Sequence, residues 1–168
     1  MASELHVDSI KDSGGTGNVH MAGAVLQTVI HSFSDTTTNS TDSNADLTGS
    51  SFSFTPKFAS SLLLISISVS VRMGRDSASG QGCTVNVVHD GTAISEAPQD
   101  YELYVYAASG GNHIFKQRLH KEVTVSASNT NARTIKLQGR PSSTGDSGSL
   151  IVNNASMIST IKVTEIGQ

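Results

Sequence analysis

From position 62 to 72 the chain reads Leu-Leu-Leu-Ile-Ser-Ile-Ser-Val-Ser-Val-Arg, and no other stretch constrains the fold as much. Ile65, Ile67, Val69 and Val71 alternate with Ser66, Ser68, Ser70 and Arg72. A period of two sends one set toward a core and the other toward solvent. Serine is a weak helix former and β-branched residues suit a pleated surface, so propensity agrees with pattern. A strand with one wet face belongs to an antiparallel sheet. The run is about half as long as a membrane helix requires, and serine interrupts it, so no membrane insertion is expected.

Other segments carry the same signal. Strands are expected over 25–33, 51–55, 83–89, 101–106, 115–126, 133–138, 150–153 and 158–166. Val85 and Val87 are in phase, as are Leu119, Val123 and Val125, Ile135 and Leu137, and Ile161 and Val163. Asp90-Gly91 marks a tight hairpin, because both residues tolerate positive φ, and Ile94 then lies on the returning strand. No stretch shows a 3.6-residue period. Nine or so short strands with turn-rich connectors predict an all-β chain, an antiparallel β-sandwich or barrel.

The 168 residues and 17.5 kDa fit one domain with a short appendage. Residues 1–23 read as an extended arm and linker, with Leu5, Val7 and Ile10 as a small apolar patch before Ser13-Gly14-Gly15-Thr16-Gly17. Residues 24–168 hold the sandwich. Three polar stretches, 35–50, 74–82 and 142–149, read as loops and candidate contact surfaces. The opening residues have neither a basic nor an apolar secretory region, so synthesis in a cytoplasm is expected.

Charge excludes some functions. Lys plus Arg is 11 against 14 for Asp plus Glu, a net of −3. A nucleic-acid partner is therefore not expected, since that affinity comes from clustered cations on phosphates. Cys83 is the single cysteine, which rules out an intrachain disulfide, and it reads as a small buried hydrophobe.

Motifs with chemical meaning resolve into ordinary turns. Gly145-Asp146-Ser147-Gly148 copies the nucleophile motif of trypsin-like proteases, but Ser149 replaces the glycine that continues it, and no histidine sits in a base motif. It reads as a surface turn, and no catalytic residue is expected. Gly14-Gly15-Thr16-Gly17 lacks the helix and lysine of a phosphate cradle. His6, His20, His31, His89, His113 and His120 show no metal-ligand spacing, so neither metal nor cofactor is expected. His89 reads as solvated beside its turn. Asn39-Ser40-Thr41 and Asn154-Ala155-Ser156 match glycosylation acceptors, which mean little without a secretory route.

The only tyrosines, Tyr101, Tyr104 and Tyr106, sit together. Alternation puts Tyr104 and Tyr106 opposite Leu103 and Val105. They are candidates for a protein interface or for stacking on a sugar ring, with packing under a loop as the plain alternative.

Four segments bear a family likeness. Leu5-His6-Val7-Asp8-Ser9-Ile10-Lys11-Asp12-Ser13-Gly14-Gly15 resembles the opening of structural proteins of tailed bacteriophages, especially those of marine and cyanobacterial hosts. Phe54-Thr55-Pro56-Lys57, Asp90-Gly91-Thr92-Ala93-Ile94 and the closing Ser159-Thr160-Ile161-Lys162-Val163-Thr164-Glu165-Ile166 resemble a β-sandwich module of phage fibre and decoration proteins. That module is similar in architecture to the trimeric jelly-roll heads of tumour necrosis factor and complement C1q. The likeness covers most of 24–168 plus the N-terminal segment. It implies a non-enzymatic virion component, commonly a homotrimer, whose N-terminal segment docks on another virion protein of capsid or tail. A receptor-binding tip that takes a host surface glycan is the alternative it leaves open.

Overall fold

A computed structural model of the chain describes residues 22–75, 80–94, 102–106, 113–144 and 148–168. Among these residues there are twelve strands and no helix: β1 (Val25–Phe33), β2 (Thr37–Asn39), β3 (Ala45–Asp46), β4 (Phe52–Phe54), β5 (Leu62–Arg75), β6 (Gly80–His89), β7 (Thr92–Ala93), β8 (Leu103–Tyr106), β9 (His113–Ser126), β10 (Arg133–Pro141), β11 (Ser149–Val152) and β12 (Ser159–Ile166). All pairings are antiparallel. The chain is an antiparallel β-sandwich consistent with a jelly-roll, as its alternation predicts.

In the first sheet β9 flanks β5 along its whole length. On the other side of β5, β12 pairs with Leu62–Ser68 and β11 with Val71–Gly74. β1 lies outside β12, and β2 outside β11. In the second sheet β10 pairs with β6, with β3 and β4 on its outer side, while β7 and β8 line the far side of β6. Most neighbours are distant in sequence. Long-range pairing of this kind requires loop closure before it yields contacts, so such topologies fold slowly.

The two layers share one core. β5 contributes Leu63, Ile65, Ile67, Val69, Val71 and Met73, and the facing sheet contributes Phe54, Cys83, Val85, Val87, Ile135 and Leu137. The alternating residues of β5 thus point inward as expected. Ser66 and Ser68 are half-buried on the opposite face, but Ser70 is buried there, because Ser159 Oγ accepts from its N–H (3.0 Å) and the Asn153 N–H donates to its carbonyl (3.1 Å). Asp90-Gly91 forms the expected hairpin, with φ of 48° and 81°, and the Ile94 N–H donates to Val87 O at 2.9 Å.

Three expectations about loops need correction. The 35–50 stretch contains β2 and β3, and its one leucine, Leu47, is buried in the core. Paired backbone carries this stretch where apolar content does not: the Asn39 side-chain amide donates to Gly139 O and Ser43 O, both at 2.8 Å. Residues 74–75 and 80–82 of the second stretch belong to β5 and β6, and Gly80, Gln81 and Gly82 are buried. Of the third, Gly148 is buried and Ser149 opens β11. A side chain at Gly148 would meet Ser143 O at 2.1 Å, so that close approach requires glycine.

Candidate binding surfaces

Several polar residues that look chemically interesting are structural. Cys83 is fully buried, and burial, with a smaller contribution from Glu102, pushes its thiol up to about 12, which leaves it unreactive. His31 Nε2 meets Gly49 O at 2.7 Å, and the ring stacks on Phe52 at 4.7 Å. Among the described residues no three His, Cys, Asp or Glu side chains converge as a metal site would need. Leu5, Val7, Ile10, His6, His20 and Gly145-Asp146-Ser147 lie outside the described residues.

His89 overturns its expected solvation. It closes β6, opposite Ile135, and is 8% exposed. Its Nε2 lies 3.3 Å from Arg133 Nη1, and Arg133 Nη2 donates to Asn129 O and Oδ1 at 3.1 Å. The phase of β6 carries His89 inward with Val85 and Val87, which outweighs the pull of the adjacent turn. Burial lowers the imidazole pKa and the Arg133 charge lowers it further, while Asp90 opposes both. The unfolded chain therefore takes up this proton first, and the folded state loses stability as pH falls through the ordinary histidine range near 6.5. The unfolding midpoint should drop between pH 7.5 and 5.5, with a shallower drop in His89→Gln. Parallel pH profiles for the two proteins would refute the assignment.

Among the described residues three exposed surfaces are candidates for partner contacts. The first is the edge strand β8, where Tyr104 is 48% and Tyr106 70% exposed while Leu103 and Val105 pack on the core. This is the alternation read from the sequence. The Tyr104 hydroxyl lies over Gly80, where no side chain would fit.

The second is the outer face of the first sheet at the end where β1 begins. Val25, Ile166 and Leu62 are in register across three strands, so their side chains form one row. Leu64 lies next along β5, and Ile30 sits opposite Lys162. Val25 is 62% and Ile30 64% exposed, and Leu62, Leu64 and Ile166 are half-buried. On a face whose other residues are mostly polar or charged, among them Thr28, Thr164, Lys162 and Glu122, these aliphatic side chains stand out. The Gly23 N–H donates to Gly167 O (2.8 Å) and the Gly167 N–H to Ala24 O (2.9 Å), which fixes Gly23 and Ala24 at this end.

The third surface lies at the opposite end of the same face. Arg72 on β5 pairs in register with Lys116 on β9, and Ser70 with Arg118. The segment between β11 and β12 walls this hollow of about 290 Å³ with Asn154, Ala155 and Met157. Asn153, Ala155 and Ser156 hold positive φ of 56°, 59° and 59°, conformations that cost L-residues free energy. Alternation already places Arg72 on the serine face of β5. That it meets Lys116 depends on a pairing between distant strands, which no local pattern carries.

No protein family profile matches the sequence, and no curated protein matches it. Among solved structures the chain is similar to VP2 of infectious bursal disease virus in its subviral particle, at 14% identity and a TM-score of 0.34, over 96% of this chain and 42% of that one. The Gx strain of the same virus gives 14% identity and a TM-score of 0.35, with the same coverage. Dimeric latent PorU of Porphyromonas gingivalis gives 15% identity and a TM-score of 0.38, over 90% of this chain and 14% of that one. The chain thus spans less than half the length of each of these proteins. Similarity at this level carries no inference about activity.

Proposed function

We propose that the chain is a non-enzymatic structural protein of a virion: a homotrimeric surface appendage, either a capsid decoration or knob or a short fibre. Residues 1–23 form its attachment arm, with Leu5, Val7 and Ile10 as contacts to another virion protein of capsid or tail, and 24–168 form the sandwich domain. The sequence likeness to tailed-phage structural proteins motivates the reading. The aliphatic row of Val25, Ile166 and Leu62, with Leu64 in the next row and Ile30 in the one beyond, is the observation that carries it. A sheet face that keeps these side chains in water forgoes burial free energy of about 25 cal/mol per Å². A second and third copy packed on this face recover it, and the arm leaves from the same end. The same packing covers an exposed edge of the sheet.

Light scattering on the full chain at micromolar concentration should give a mass near three times the 17.5 kDa of one chain. Ile30→Glu with Leu64→Glu should reduce it to monomer with little loss of strand content, since neither side chain enters the core. A wild-type protein that stays monomeric up to millimolar concentration rules out self-association through this face.

A glycan-binding tip is the second reading, favoured by the exposure of Tyr104 and Tyr106 side by side on an edge strand. Aromatic faces at this spacing suit a sugar ring. Glycan-array binding abolished by Tyr106→Ala supports it, and an array without signal removes it.

A further inference from the structure

We infer that the hollow bounded by Arg72, Lys116, Arg118 and Asn154 binds an acidic saccharide, through one carboxylate or sulfate of a sugar unit. The inference does not depend on trimer formation, because the hollow lies at the other end of the sheet from the aliphatic row. Leu64 and Arg72 are eight residues apart on β5, which at the rise of a strand is about 26 Å.

Arg72 and Lys116 are direct cross-strand partners, and like charges in that position destabilise a sheet. Arg118 adds a third cation one pair along the same face. Among the described residues neither Arg72 nor Lys116 is paired with a carboxylate. Lys116 and Arg118 also serve as charges that guard the outer edge of β9 against pairing with another chain. Arg72 has no such role, since β5 is a central strand flanked on both sides. A cation placed there, against another cation, is explained by an anion that joins the two.

The hollow also has the shape of a site. Arg118 is held in place, with Nη1 donating to Ser68 Oγ and Nη2 to Ile158 O, both at 2.9 Å. That contact ties the guanidinium to the segment that forms the wall, and its remaining donors stay available. About 290 Å³ is more than a bare oxyanion fills, and it lies at the small end of ligand pockets. Met157, 46% exposed, offers an apolar surface for the flat side of a ring, and Asn154 offers an amide for hydroxyls. A nucleic acid is disfavoured, because the chain is net negative at −3.

Calorimetric titration of the full chain with a galacturonic acid tetrasaccharide tests the assignment, with its neutral methyl ester and inorganic sulfate as separate arms. The acid should bind, more weakly as salt rises, and at least tenfold more tightly than the ester or sulfate. Arg72→Gln and Lys116→Gln should each weaken it at least fivefold. Both variants should raise the ligand-free unfolding midpoint by up to about 3 °C, because each removes one partner of a repulsive pair. No binding, equal binding of acid and ester, sulfate binding as tightly as the sugar, or variants that bind like the wild type would each overturn the inference.

Discussion

Replacing Glu165 with alanine is expected to cost about 3–5 kcal/mol, the range for stripping the partner from buried charged hydrogen bonds. Its carboxylate is fully buried at the end of β12. Oε1 accepts from Ser61 Oγ (2.6 Å) and from the backbone N–H groups of Lys57 (2.9 Å) and Phe58 (3.0 Å). Oε2 accepts from Gln27 Nε2 (2.6 Å) and again from Lys57 N (3.0 Å). One side chain therefore ties β1, the 55–61 connection and β12 together. Burial by itself would raise the carboxyl pKa, but the hydrogen bonds from Ser61, Lys57, Phe58 and Gln27 together outweigh it and hold the group below its ordinary value.

A carboxyl whose folded pKa is depressed contributes stability above its unfolded value near 4.3, and that stability is lost as pH falls through the folded pKa. In Glu165→Ala the unfolding midpoint at pH 7 should fall by roughly 10 °C, and the acid slope below pH 4.5 should flatten. Glu165→Gln should lose less, since it keeps one acceptor oxygen. A midpoint within 2 °C of wild type for Glu165→Ala would show that the cradle contributes nothing net.

Leu137→Ala carries the other large expected effect. Leu137 is fully buried in β10, between β6 and the lane of β3 and β4. Its N–H donates to Ser50 Oγ (3.0 Å), and its carbonyl accepts from Leu47 N (2.9 Å), so the backbone is fixed from the side and cannot collapse into a void. Truncation at a site that cannot relax costs toward the upper end of the 2–5 kcal/mol range, about 4 kcal/mol. Urea unfolding should move to lower midpoint with unchanged slope. Ser66→Ala, on the outer face of β5, should stay within about 0.5 kcal/mol of wild type. Similar losses for both would contradict a core shared by two layers.

These predictions separate what is local from what is not. The period of two in β5, β10 and β12 tells which side chains turn inward, because side-chain direction in a strand depends only on position along it. Strands longer than four residues were legible for that reason. β2 and β3 were not, since Thr37–Asn39 and Ala45–Asp46 have no apolar alternation and exist through pairing with β11 and β10. At His89 a turn signal and a strand phase meet in one residue, and the phase prevails.

The candidate sites divide in the same way. Exposure of Tyr104 and Tyr106 was readable from alternation, and the inward phase of Glu165 follows from that of Ile161 and Val163. The donors around Glu165 lie more than a hundred positions away at Lys57, Phe58, Ser61 and Gln27. Lys116 lies beside Arg72 only because β9 folds back along β5 in one register. The amino-acid order by itself determined the strands and their buried faces. Which strands became neighbours, and hence which charges met, was decided by the closing of long loops around a shared core, a choice that no window of consecutive residues contains.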